Sequence, residues 1–204
     1  MAAFQGPGLV LDAGGIAAAC DTLHVHAAEL WAVLTVETRG CGFLADRRPL
    51  ILFERHYFSR LTKRKFDVQA PDISNKQWGG YSGGTREYDR LGQAVKLDRA
   101  AALRSASWGL GQVMGENFKA AGFPDVEPMV AAFVESENAQ LEGMARFIAS
   151  IGADKHLRAH NWPAFAAAYN GPAYAKNSYD ERLRAAQQKY VTGALPDLNV
   201  RAIQ

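Results

Sequence analysis

Between residues 26 and 38, Ala27, Leu30, Val33 or Leu34, and then Glu37 recur at three-to-four spacing. That is one face of an amphipathic helix. Gly40 and Gly42 follow and end it, as glycines do at helix C-termini. A shorter helix is predicted over 12–23, after a loose lead-in of residues 1–11. Downstream, two apolar runs flank "ADRRP", and "LILFERHYF" interleaves β-formers with charges, so a small β-hairpin is predicted over 42–58. From Thr62 to Gly84 the chain is polar and glycine-rich ("SNKQWGGYSGGT"). Loops of that length inside a compact domain usually serve a function or move.

From Thr85 onward the pattern is helical almost to the end, with helices predicted around 86–94, 98–105, 115–121, 126–135, 137–151, 161–169 and 178–190. The punctuation between them reads "SWGLGQ", "AGFPD", "IGADK" and "YNGPAY". No repeat or low-complexity tract interrupts the series. The predicted class is mostly α within an α+β fold: one helical domain over 12–190, one β-hairpin near 42–58, and a loosely held tail over 191–204.

Bulk composition narrows the picture. A chain of 204 residues, 48% hydrophobic and 22% charged, is long enough for one domain with a real core. A net charge of +2 argues against a nucleic-acid partner. The charge is uneven, however: residues 46–65 hold seven Lys/Arg and two acids. That stretch suits an anionic polymer, or is simply a solvated hairpin and loop. Cys20 and Cys41 make neither a disulfide framework nor a ligand cluster. His24 and His26 lack a third metal ligand nearby, and no metal or other cofactor is expected. The first residues lack the basic and apolar runs of a signal peptide. No stretch approaches the roughly 18 apolar residues that span a membrane, and the amphipathic last helix is expected to dock on the domain rather than insert. Synthesis in the cytoplasm as a monomer is expected.

Three features carry chemistry. A carboxyl on the apolar stripe of a helix loses hydration, so Glu37 would hold its proton more tightly and could serve as a general acid; alternatively it turns to solvent or pairs with Arg39 or Arg55. In "SASWGLGQVMG", Gly109, Gly111 and Gly115 let the backbone approach another surface, Leu110 anchors the turn, Gln112 presents an amide, and Trp108 offers a flat face for a sugar. A helix-to-helix turn explains the same glycines. In "FAAAYNGPAY" a helix stops at Asn170-Gly171-Pro172, leaving Tyr169 and Asn170 at its end and Tyr174 just beyond.

In this order, a helix-end glutamate, "GLGQV" and "AYNGP" resemble the superfamily of goose-type lysozymes and lytic transglycosylases. More closely, "TVETRGCGF", "RPLILFERHYF", "SWGLGQVMGENF" and "FAAAYNGPAYAKNSYDERL" resemble the N-acetylmuramidase domain family of phage endolysins, over roughly residues 12–190. The resemblance implies a lysozyme-like glycoside hydrolase that cleaves the β-1,4 bond between N-acetylmuramic acid and N-acetylglucosamine in peptidoglycan. It also implies release to the periplasm through holes made by a holin-like partner. Glu37 matches the family's catalytic glutamate. Gln112, Tyr169 and Asn170 match cleft positions, and Ser107 and Trp108 flank the turn. Gly111 stands where many superfamily members carry methionine.

Glycosidases usually employ two carboxyls, and no aspartate falls at an obvious second position. Asp46 belongs to a turn. Glu54 is the second candidate, though between Arg55 and His56 it equally suits an ion pair. His56 and Tyr57 are candidate cleft residues, and Trp78 and Tyr81 either reach substrate or plug the loop. A Cys41–His56 dyad lacks the context of a nucleophile. Two rivals remain: a transglycosylase using the same glutamate, and a non-catalytic glycan-binding module.

Overall fold

The computed structural model describes residues 4–38, 40–171 and 178–198. Ten α-helices among them surround a small antiparallel sheet. Helix α1 (Ala13–Leu23) starts where Asp12 accepts a hydrogen bond from Gly15 N at 2.9 Å, a side-chain cap on an otherwise orphaned donor. Helix α2 (Ala27–Glu37) is buried almost all round: Leu30, Trp31, Ala32, Val33, Leu34 and Val36 all lie in the core. A helix of that kind is an axis about which others pack. It ends where Thr38 turns extended and its hydroxyl donates back to Leu34 O at 2.6 Å.

The β structure differs from the hairpin predicted over 42–58. Residues 42–50 do fold back on themselves, with Phe43 bridging Pro49 and Leu50 N donating to Gly42 O at 2.7 Å. Strand β1, however, is only Ile51–Phe53, and "RHYFSRL" forms helix α3 (Arg55–Leu61). The charges in "FERHYF" mimic alternation, but Phe58 and Leu61 sit on a helical period, and Phe58 is fully buried against Phe53 and Phe66. Two helices follow the long loop, α4 (Glu87–Leu97) and α5 (Arg99–Arg104). The partner of β1 lies beyond them in β2 (Ala106–Trp108), which pairs in turn with β3 (Val113–Met114). The register sets Leu52 opposite Ser107, and Ser107 opposite Met114.

A short 3₁₀ turn, Gly115–Asn117, replaces the helix predicted over 115–121. Helices α6 (Val126–Glu135) and α7 (Glu137–Ser150) fall as predicted, and a short α8 (Asp154–Arg158) occupies what reads in sequence as a loop. Helices α9 (Trp162–Asn170) and α10 (Tyr179–Thr192) complete the chain, with α10 lying along α2 and α1 along α7. Nor are residues 4–11 loose: Leu11 is buried, Phe4 packs against Trp108 and Tyr88, and Leu9 bridges Ser136. Among the described residues no helix is long and apolar enough to cross a membrane.

Candidate active site

A cleft of about 730 Å³ opens between the end of α2, the small sheet and the end of α9. Its walls include Glu37 of α2 and Thr38 just after it, Leu52 and Ser107 from the sheet, Tyr57 from α3, and Tyr169 and Asn170 from α9. Tyr179 of α10 and the loop residues Tyr81, Gly83 and Gly84 contribute from other sides. Among the described residues lining the cleft, Glu37 is the one carboxylate.

Because α2 stops at Glu37, the side chain leaves the buried helix at the cleft wall. Asn170 Nδ2 donates to its Oε1 at 2.8 Å. Burial pushes the Glu37 carboxyl above the ordinary range, against the Asn170 hydrogen bond and the positive charge of Arg182 on α10, which pull it down. Tyr169 stands beside it, with its phenol donating to Gly111 O at 3.0 Å. Burial, helped by the Glu37 charge, pushes that phenol up too. The arrangement fixes one carboxyl oxygen of Glu37 by a hydrogen bond at the wall of an open cleft.

The β2–β3 turn forms the floor. Gly109 adopts φ +67°, and a Cβ there would fall 2.4 Å from Cδ of Gln140, so only glycine fits. Gln140 is fully buried; its Oε1 accepts from Leu110 N at 2.7 Å and its Nε2 donates to Phe133 O at 2.8 Å. It thereby ties the turn to α6. A second buried acid, Glu137, accepts from Leu11 N and Gly42 N, holding the chain that leaves α2. On the opposite wall, buried Glu87 accepts from Phe53 N at 3.0 Å, from Gly83 N at 2.9 Å and from Ser82 N, and pairs with Arg90 at 2.9 Å. Burial pushes the Glu87 carboxyl up, yet these donors and the Arg90 charge together hold it below the ordinary range.

A family model for N-acetylmuramidases matches residues 26–191, a span that contains every one of these cleft walls. The chain belongs to the N-acetylmuramidase family. The crystal structure of the Burkholderia AP3 phage endolysin is similar, with a TM-score of 0.85 at 40% identity over 93% of this chain and 75% of that one. No curated protein sequence matches the chain.

In this member of the N-acetylmuramidase family the residues singled out from sequence divide into three groups. Glu37, Tyr57, Ser107, Leu110, Gln112, Tyr169 and Asn170 meet in the cleft. Within that group Gln112 is spent internally: its Oε1 accepts from Ser107 at 2.8 Å, and its Nε2 donates to Leu50 O and Gly109 O at 3.1 and 2.9 Å. It staples the turn instead of presenting a free amide. Trp108 is the clear correction. It is 0% exposed, its Nε1 donates to Leu103 O at 3.0 Å, and no face is open to a sugar; the strand pleat that turns Ser107 toward the cleft turns Trp108 into the core. Gly109 lies beneath the turn and acts through its shape.

Glu54 and His56 stay outside the cleft walls. Glu54 sits at the start of α3, accepts the Tyr81 hydroxyl on both oxygens at 3.0 Å, and lies 3.1 Å from His56 Nδ1. Burial and this carboxylate push the Tyr81 phenol up to about 12. Arg55, weighed as a partner for Glu37, instead bonds Gln77 O and Trp78 O. Arg39 and Tyr174 lie outside the described residues.

Three of the seven basic side chains in the stretch 46–65 form ion pairs with acids of the fold. Arg48 pairs with Asp46, Arg60 with Glu116 and Arg64 with Asp67. Among the described residues no cluster of three His, Cys, Asp or Glu side chains is placed to hold a metal ion. Sequence reading missed Glu87, Glu137 and Gln140, together with Met114, Asn117, Phe147 and Tyr179 of the cleft. The acid of Glu87 at the start of a helix was the one available signal, and it points to capping.

Proposed function

We propose that this peptidoglycan hydrolase of the N-acetylmuramidase family is an endolysin that cleaves the β-1,4 bond between N-acetylmuramic acid and N-acetylglucosamine, with Glu37 as its general acid. The observation that carries the reading is the half-buried Glu37 carboxyl, held by Asn170 and raised by desolvation, as the one carboxylate among the described residues of the cleft wall. Glu37 delivers its proton to the glycosidic oxygen as the C–O bond breaks, and positive charge builds on the sugar's anomeric carbon and ring oxygen. Deprotonated Glu37 then faces that charge and accepts a proton from the water that adds to the anomeric carbon. Each such proton transfer contributes about 10² to 10⁴ in rate.

Glu54 acts in this scheme by positioning Tyr81 and takes no part in proton transfer. Ser107 and Gln112 shape the floor, while Tyr57, Tyr169 and Asn170 orient the sugars. The protein works as a monomer on periplasmic peptidoglycan, reaching it through holes made by a holin-like membrane partner.

A lone cleft carboxylate also suits a lytic transglycosylase, in which the muramic acid C6 hydroxyl replaces water and a 1,6-anhydro ring forms. Product chemistry separates the readings. Mass spectrometry of borohydride-reduced digests of purified peptidoglycan is expected to show muramitol ends. Anhydro ends would make it a transglycosylase, glucosaminitol ends a glucosaminidase, and binding without release a non-catalytic module.

A further inference from the structure

The loop over 76–84 carries two aromatic side chains that take no part in the proton transfers of the cleft. Trp78 is 73% exposed, and Tyr81, 40% exposed, lines the cleft edge. Their ring centroids lie 6.4 Å apart with the planes inclined at 42°, so the two faces form an open shelf that continues outward from the cleft.

An indole left in water has a cost, and a floppy loop would fold it away. This loop is instead clamped along its length. Arg55 Nε donates to Gln77 O at 2.9 Å and its Nη2 to Trp78 O at 3.3 Å. Gly80, at φ +76°, lies so close beneath that guanidinium that a Cβ would meet it at 3.0 Å. Tyr81 is tied to Glu54 through its hydroxyl, Ser82 N and Gly83 N to Glu87, and Ser82 O to Arg86 at 3.0 Å. The backbone that carries the indole is held in place before any ligand arrives, which lowers the ordering cost of binding.

We infer that Trp78 and Tyr81 form an outer saccharide subsite, on which a hexosamine ring of the glycan strand stacks after the strand leaves the cleft. The inference rests on the glycan-cleaving reading above and extends it: the enzyme recognises a longer strand than the cleft alone encloses. A pyranose presents axial C–H groups on one face, and these pack against the electron-rich face of an aromatic ring. Clamp residues Arg55, Glu54 and Glu87 set the height of the shelf without touching the sugar.

The test compares wild type, Trp78→Ala and Trp78→Phe on peptide-free glycan strands of increasing length, from a tetrasaccharide upward, with kcat and KM measured separately. Sedimentation with purified sacculi is followed alongside. Trp78 is exposed, so folding is checked only by an unchanged Tm. Trp78→Ala is expected to lose about three- to ten-fold in kcat/KM on long strands, mostly in KM, the size of one lost aromatic contact. The penalty shrinks as the strand shortens, and Trp78→Phe recovers most of it. A penalty independent of length, or none at any length, overturns the subsite. So does a penalty seen only when stem peptides are attached, because the shelf would then hold peptide. If wild type cleaves nothing, the glycosidase reading falls, while weaker binding of Trp78→Ala to the peptide-free strands by isothermal titration calorimetry would still support the shelf and equal binding would remove it.

Discussion

Glu87→Gln is the perturbation that tests most sharply how the cleft is held open. Glu87 is fully buried and its two oxygens serve four donors: Phe53 N and Arg90 on one, Ser82 N and Gly83 N on the other. The amide keeps one acceptor oxygen, turns an N–H₂ toward the remaining donors, and leaves the buried Arg90 guanidinium without its counter-charge. Breaking one side of a buried pair costs about 3–5 kcal/mol. The retained oxygen stays on Phe53 N and Arg90, and the N–H₂ turns toward Ser82 N and Gly83 N. Ser82 and Gly83 sit near solvent and can rehydrate, so their share is small. The expected loss, roughly 3–5 kcal/mol, is a large part of a domain stability that is typically about 5–15 kcal/mol.

Urea unfolding followed by circular dichroism reads this loss directly. A double variant with Arg90→Met removes the stranded charge, so the pair together should cost markedly less than the sum of the two single changes. A Glu87→Gln loss under about 1 kcal/mol, or strict additivity with Arg90→Met, would refute the view that this carboxylate bolts the loop to strand β1. The depressed pKa has a consequence of the same sign: the stabilisation is present above the ordinary glutamate range and fades as pH falls through the lower folded value.

Two further predictions concern Glu37. Arg182→Ala removes a positive charge that lowers its pKa, so the basic limb of the kcat/KM profile should move to higher pH; an unmoved or lowered limb counts against the assignment. Glu37 is raised in the fold, so its favourable contribution exists below the unfolded pKa and is lost as pH climbs through the folded one. Glu37→Gln should therefore be more stable than wild type near pH 7 in urea titrations, and the gap should close by about pH 4; a variant less stable at pH 7 would show that the carboxylate is well solvated.

Much of this site is legible in the sequence because its key elements are local. The stripe from Ala27 to Glu37 and the stop at Asn170-Gly171 are both set within a few residues, and each ends at the cleft. What the sequence hides is pairing at a distance. Strand β1 finds its partner some fifty residues on, across three helices, so the second arm of the predicted hairpin was free to become α3. The burial of Trp108 follows from the same pairing, since the register decides which of two adjacent side chains faces out. Gln112 looked like a substrate ligand because an amide can bond in two directions; both directions are taken by Ser107 and the backbone. Glu87, Glu137 and Gln140 went unseen because a buried polar residue announces itself only once its distant donors are known.

The central claim is that Glu37 supplies the proton that breaks the glycan. Its most direct test is the initial rate of muropeptide release from purified peptidoglycan by wild type and Glu37→Gln, with sedimentation confirming that both bind the wall. The account predicts a loss of about 10² to 10⁴ in rate with binding retained. A Glu37→Gln protein that binds and cleaves like wild type would contradict it.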